Sequence, residues 1–519
     1  MSSRFSADEV RRSETSFSLS ALLVAIAWVV PAVASLVCVP IVARGLGSQT
    51  YGLLVLVTAV SGYLGLMDLG LGQAIVRYLA FYRARNEGRP MVAVLRVALL
   101  WFFGVGVVGG VACYVAAPWL VESVLDVPDG LSSEGVLAIR LSAVAFAAGM
   151  VMGVLAQVPQ GFLRYDLVAG MTLVVGTTAA IGPAILVSAG SGLVSLVGFA
   201  LALNFAAALF YGLIALRLLR TVDRRQGPGW AGIRRQVLPF VGITALSRAH
   251  TVAAAQSTRL VVGIAAGTAA AAYYQIPNVL SGRIGEMLSR VAQILFPTAS
   301  GLWATGEADA VRHLYLRTSR MFFIANAAVG AATFAMAKPL LTHWLNDEFA
   351  AAGTYALAVF AVSQTVNAST QAASYVNLSA EKPGINLTFS AANSAVTLLT
   401  VYPLVLWLGV TGAALAGLCA CLTVPFFFRH THRRVLHLGS WRVLRECYLT
   451  SAALAVSVAV FGWLIVAPRM HSLLTTLGAW ATLVGLVVLL GGVTGVIRRE
   501  DVRSGQHALR GLRVILLRR

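Results

Sequence analysis

The sequence predicts an all-α polytopic membrane protein of about fourteen transmembrane helices, and three observations predict it. Of its 519 residues, 58% are hydrophobic and 11% charged, with a mean hydropathy of +0.81. That is about half the charge density of a soluble chain of this length. Fourteen apolar runs each exceed the ~18 residues needed to cross a bilayer. The basic residues crowd into alternate loops, as they do where a chain threads a membrane repeatedly.

Residues 1–17 form a polar leader, followed by apolar runs at about 18–43, 50–79, 91–117, 136–158, 167–189 and 192–216. A basic linker at 217–235 precedes runs at about 236–265, 271–300, 318–342, 349–378, 385–407 and 410–428. A basic loop at 429–446 and two further runs at about 447–467 and 472–497 complete the count. Arg11, Arg12 and the stretch Ala32-Val33-Ala34 imitate a signal peptide. The acids Asp8, Glu9 and Glu14 and an apolar run that continues past that stretch read instead as a first spanning helix, bent at Pro31 and Pro40. The tail, residues 498–519, sets Leu509, Leu512 and Leu516 among arginines, the pattern of an amphipathic helix on a membrane surface.

Orientation follows from the arginines. Arg77, Arg83, Arg85 and Arg89 follow the second helix, Arg217 to Arg235 the sixth, and Arg429 to Arg445 the twelfth. The alternate loops hold little more than Arg44, Lys338 and Arg469, and one carries Glu122, Asp126, Asp129 and Glu134. The arginine-rich set and both termini are therefore expected in the cytoplasm. The net charge of +19 then reads as attraction to anionic inner-leaflet lipids, not to nucleic acid, since no block interleaves basic and aromatic residues.

The linker divides the helices into six, six and two, and the sixes carry a weak repeat. Val42-Ala43-Arg44-Gly45-Leu46-Gly47-Ser48 before Tyr51-Gly52 is matched by Val262-Gly263-Ile264-Ala265-Ala266-Gly267-Thr268 before Tyr273-Tyr274. Two bundles, 18–216 and 236–428, are thus expected to be pseudo-symmetric about an axis along the membrane normal and to enclose a central cavity, with helices 447–497 added. Every loop is short, which disfavours a membrane glycan polymerase or ligase, and neither a phosphate loop nor a nucleophile–base pair is present. Transport is the class that remains. Cys38, Cys113, Cys419, Cys421 and Cys447 lack metal or disulfide spacing and read as packing residues. His430, His432 and His437, among five arginines, read as a solvated basic loop; no metal and no cofactor are expected.

Arg44-Gly-Leu-Gly with Tyr51-Gly52, then Asp68-Leu-Gly-Leu-Gly with Arg77, resembles the start of the polysaccharide-transport (O-antigen flippase, Wzx-type) proteins. Phe296-Pro297 and the turn from Leu378 to Pro383 are similar to that family as well, and the resemblance covers about residues 15–430. The family lies in the multidrug, oligosaccharidyl-lipid and polysaccharide (MOP) exporter superfamily, with lipid II flippases and MATE exporters. Many O-antigen flippases have twelve helices, so the extra pair leans toward the fourteen-helix members. The resemblance implies a monomeric flippase for a polyprenyl-diphosphate-linked oligosaccharide. It further implies coupling to a Na+ or H+ gradient or the membrane potential, and contact with glycan polymerase or ligase machinery. A lipid II flippase and a drug/cation antiporter are its rivals.

Charge inside apolar helices marks the candidate site, because an ionisable group at mid-membrane costs about 2.5–3.5 kcal/mol even on the lenient scale. Arg248 and Arg259 lie eleven residues apart on helix seven, within about 20° of one face and roughly 16 Å apart. Thr244, Thr251 and Thr258 lie near that stripe. Helix eight carries Arg283, Glu286 and Arg290 on one face, extended by Gln293; helix ten adds Gln364, Asn367, Gln371 and Ser374. Guanidinium forks match phosphate oxygens and never deprotonate, which suits a diphosphate in a dry cavity. The alternatives are that Glu286 pairs with its neighbouring arginines and that Arg259 snorkels to the surface. Asp68 is either a coupling-ion or charge partner or part of a packing motif, and Arg44 either a gate or an interfacial anchor.

Overall fold

The structure, a computed structural model, describes residues 7–65, 71–85, 87–220, 222, 252–292 and 295–496. Among them every regular element is helical. In chain order these are α1 (Ala7–Leu64), α2 (Leu71–Ala84), α3 (Gly88–Trp119), α4 (Asp129–Gly161), α5 (Tyr165–Ser188) and α6 (Leu193–Leu219). Then come α7 (Val252–Ala266), α8 (Thr268–Ala292), α9 (Leu295–Ala304), α10 (Ala308–Ala335), α11 (Ala337–Trp344) and α12 (Asp347–Ser379). The series ends with α13 (Pro383–Ala420), α14 (Val424–Thr431), α15 (Ser440–Val443), α16 (Thr450–Phe461) and α17 (Leu473–Val493).

Nine helical stretches among the described residues are long and apolar enough to cross a membrane, and the α10–α11 pair, bent by 67°, makes a tenth. Helix α1 holds the first of the fourteen apolar runs and the first half of the second, joined at Gly47 (φ 75°, ψ 167°), and α13 likewise bends at Gly409 (φ 55°, ψ −132°). Wherever they are described, all fourteen runs fall on helix to within a few residues. Their outer faces are inverted relative to a soluble protein: Trp407 is 87% exposed, Leu399 and Val493 78%, and Val115 72%. Water would penalise such surface heavily, whereas hydrocarbon accepts it and forces the backbone to satisfy itself in helices. The protein is a multi-pass α-helical membrane protein.

The chain forms two compact units, Met1–Ala269 and Ala270–Arg519. In the first, α4 packs on α3 and α6, and α1 runs along α5. In the second, α10 packs on α12, α16 and α17, and α12 on α13. Asn377, wholly buried on α12, donates to Asn386 Oδ1 on α13 and to Thr431 Oγ1 on α14, each at 3.0 Å. Asn386 in turn donates to the Ser374 carbonyl at 2.9 Å. Small polar groups thus join three helices where lipid-like surroundings offer no other partner.

Two boundaries differ from those expected. A second bundle was expected to open at 236, yet α7 belongs to the first compact unit, where its Gly263 meets Leu56 of α1 and its Gln256 meets Gly62 of α1. The expected basic loop at 429–446 is largely helical: α14 continues as a π-helical turn through Leu436, and α15 resumes at Ser440. His432 is not solvated. It is 1% exposed, shares a 2.7 Å hydrogen bond with Tyr315 Oη, and stacks on Phe428 at 5.3 Å. The turn is amphipathic: Val435 and Leu436 are buried with His432, while Arg429, Arg433 and Arg434 are exposed. Four of the five cysteines are buried and Cys419 is half-buried, and all are free.

Candidate functional site

Within the first unit, α7 lies antiparallel to the second limb of α1, and their shared seam is polar. Tyr63 Oη is hydrogen-bonded to Ser257 Oγ and approaches the Ala253 carbonyl at 3.5 Å. Two residues along α7, half-buried Arg259 donates from Nη1 to Gln256 Oε1 at 3.2 Å. At the end of the seam Thr268 Oγ1 donates to Gln49 Oε1. The helices meet there because Gly52 has no side chain: a Cβ on it would lie 1.8 Å from the Thr268 carbonyl oxygen. Arg44 is exposed, just before the bend at Gly47.

In the second unit, Gln364 on α12 borders a void of about 20 Å³ with Ser281 of α8 and Asn326 of α10. Thr365 donates to the Ala361 carbonyl at 2.8 Å and reaches the Asn326 carbonyl at 3.4 Å; Asn326 donates to the Phe322 carbonyl at 2.8 Å. Ser281 Oγ is buried without a hydrogen-bond partner among the described residues. The void is of a size for one water molecule, with polar groups on several sides. Asn367, three residues on from Gln364, is half-buried on the same helix.

Several predicted residues lie outside this description. Arg248, Asp68, Gln293, Thr244 and Thr251 lie outside the described residues, as do most of the linker and the tail. Arg283, Glu286 and Arg290 lie on the helical backbone of α8, but their side chains are outside the description. Thr258, expected on the arginine stripe, is turned inward: it is 4% exposed and donates to the Ala254 carbonyl of its own helix at 2.9 Å. The structure brings Arg259 to Gln256, and Gln364 to Ser281 and Asn326. Sequence reasoning missed Gln49, Tyr63, Gln256, Ser257, Ser281 and Asn326 by attending to charge. Neutral polar groups recurring in apolar helices were the signal that could have found them.

A guanidinium flanked by amides and hydroxyls can bind an oxyanion together with hydroxylated groups. Residues 20–303, more than half of the chain, match the family described as polysaccharide biosynthesis protein. No curated relative matches significantly. Among solved structures, the lipid II flippase MurJ in an inward closed conformation is similar with a TM-score of 0.66 at 8% identity, over 93% of this chain and 100% of that one. An inward-facing MATE-family multidrug resistance transporter of the MOP superfamily is similar with a TM-score of 0.63 at 17% identity, over 82% of this chain and 100% of that one. A MOP superfamily transporter from Pyrococcus furiosus, whose binding pocket is described as of reverse polarity, gives 0.53 at 15% identity over 79% and 96%. The fold is that of the MOP transporters, and the match over residues 20–303 makes this chain a member of the polysaccharide biosynthesis protein family.

Proposed function

We propose that this protein is a flippase that moves a polyprenyl-diphosphate-linked oligosaccharide from the inner to the outer leaflet of the cytoplasmic membrane. Alternating access would carry the sugar while the prenyl tail stays in lipid. The single observation that carries this reading is Arg259, held half-buried beside Gln256 on a polar helix seam inside the family-matched region. A permanent cation beside an amide suits a diphosphate and the sugar next to it. Arg248 and Arg283 would hold the same diphosphate at other depths, with Arg44 at the outer mouth. Gln364 and Asn367 would meet sugar hydroxyls, and Asp68 and Glu286 would serve coupling or charge balance. A Na+ or H+ gradient or the membrane potential would supply the driving force, with no cofactor and no covalent chemistry.

A second reading, transport of lipid II, is favoured by the likeness to the lipid II flippase, which extends over 93% of this chain against 82% for the MATE transporter. Reconstituted vesicles loaded separately with each lipid separate the two. The expected result is protein-dependent exposure of the oligosaccharide lipid to an external oxidant, faster than that of lipid II, with every lipid mass unchanged. Faster exposure of lipid II would select the second reading, and any new glycosidic product would make the protein an enzyme.

The arginine excess of the 217–235 linker places it, and both termini, on the cytoplasmic side in this reading. In a cysteine-free background, a cysteine at Gln226 should resist impermeant thiol reagents in intact cells. One at exposed Ser133, at the start of α4, should react. The opposite pattern would invert the orientation.

A further inference from the structure

A cavity of about 930 Å³ lies within the second unit, between the first turns of α13 and the end of α14 with the π-helical turn after it. Its rim and its floor differ in chemistry. Lys382, Arg433 and Arg434 are exposed at the rim, with His430 and His437 beside them. The floor is an apolar lining that runs from Phe427 and Ile385 past Phe389 to exposed Ala392 and Phe426, and Phe389 and Phe427 stack at 4.3 Å between centroids. Lys382 Nζ donates to the Arg434 carbonyl at 3.0 Å, which ties the rim together and leaves two ammonium protons unspent. Among the described residues no carboxylate pairs with Lys382, Arg433 or Arg434. Glu381 is exposed beside Lys382 and does not line the cleft.

The cations stand where apolar helix gives way to polar chain, because α13 begins at Pro383 and α14's apolar face ends at Leu436. A free anion would use the rim and leave the aromatic floor bare. An apolar ligand would use the floor and leave three cations unanswered. A molecule with a phosphate at the boundary and hydrocarbon below it answers both, and the volume is that of an ordinary ligand site.

We propose that this cleft binds one anionic phospholipid. Its phosphate rests on Arg433, Arg434 and Lys382, and an acyl chain lies across Phe389, Ala392 and Phe426. This site is separate from the α7 seam and stands whatever the transported glycan is; the orientation above places it in the inner leaflet.

The test is retention of lipid by the full-length, delipidated protein in detergent, read by native mass spectrometry. The probes are dioleoylphosphatidylglycerol, dioleoylphosphatidylcholine and glycerol 3-phosphate. Phosphatidylglycerol should be retained at least tenfold better than phosphatidylcholine, and glycerol 3-phosphate should not compete. Arg433→Gln/Arg434→Gln should weaken phosphatidylglycerol by roughly twenty-five-fold, the product of two contacts of about fivefold each. Arg429→Gln/Arg445→Gln removes the same charge from positions that do not line the cleft and should leave retention unchanged. Ala392→Trp keeps every charge but fills the floor, and should also abolish retention, so the test survives if the arginine variant misfolds. Equal binding of the two lipids, competition by glycerol 3-phosphate, or equal loss in the control pair would overturn the proposal. So would unchanged retention in Ala392→Trp.

Discussion

Arg248→Ala should abolish flipping of the oligosaccharide lipid in reconstituted vesicles, and Arg259→Ala should slow it by roughly ten- to a hundredfold. The estimate takes about 1.5–3 kcal/mol for one charge-assisted hydrogen bond lost from a site shielded from water. Expression and thermal stability should stay near those of the parent, since Arg259 is only half-buried and its neighbour Gln256 keeps its packing against Gly62. Lysine at either position should retain part of the rate, because it keeps the charge and forfeits the bidentate fork. Initial rates of lipid exposure, normalised to protein incorporated, are the measurement. Normal flipping in both alanine variants, with Glu286→Ala instead unfolding the protein, would make these arginines structural.

The second large effect falls on stability. A Cβ at Gly52 would lie 1.8 Å from the Thr268 carbonyl oxygen and 2.5 Å from its carbon, and these are backbone atoms with no rotamer to yield. Gly52→Val should therefore force the α1 and α7–α8 backbones apart and break the Thr268–Gln49 hydrogen bond. Overpacking of this kind costs ~1–3 kcal/mol, so the unfolding midpoint in detergent should drop by roughly 1–3 °C for a chain of this length. Gly104 on α3 is exposed with nothing near its Cβ position, so Gly104→Val is the matched control and should leave the midpoint unchanged. An equal shift in the two variants would mean that the contact at Gly52 relaxes at no cost.

The helices were legible because lipid imposes a length and a composition on anything that crosses it. The apolar runs at 91–117, 136–158 and 349–378 therefore lie within α3, α4 and α12. The family was legible from Arg44-Gly-Leu-Gly and the stretches after it. Partners were not, because a pattern along one helix says nothing about what faces it. Asn377 and Asn386 carry no charge and stand out in no pattern along the sequence, yet they join α12, α13 and α14. His432 sat among arginines and read as solvated; the π-helical turn that carries it inward to Tyr315 has no one-dimensional signature. For the site, charge drew attention to Arg259 correctly, while the neutral seam of Tyr63, Gln256 and Ser257 depends on a neighbour about 190 residues away.

The bend at Gly409 bears on how this protein can be handled. A Cβ on Gly412 would fall 1.8 Å from the Leu404 carbonyl oxygen, so the chain folds back on itself with almost no residues between its two limbs. Such a corner offers no slack for an epitope tag or a reporter domain, and no loop for an antibody to grip. A label wanted at this level of the sequence has to be carried by a substituted side chain. Inserted sequence belongs instead at exposed Pro128, in the short non-helical stretch before α4, where the chain has left one helix and not yet entered the next.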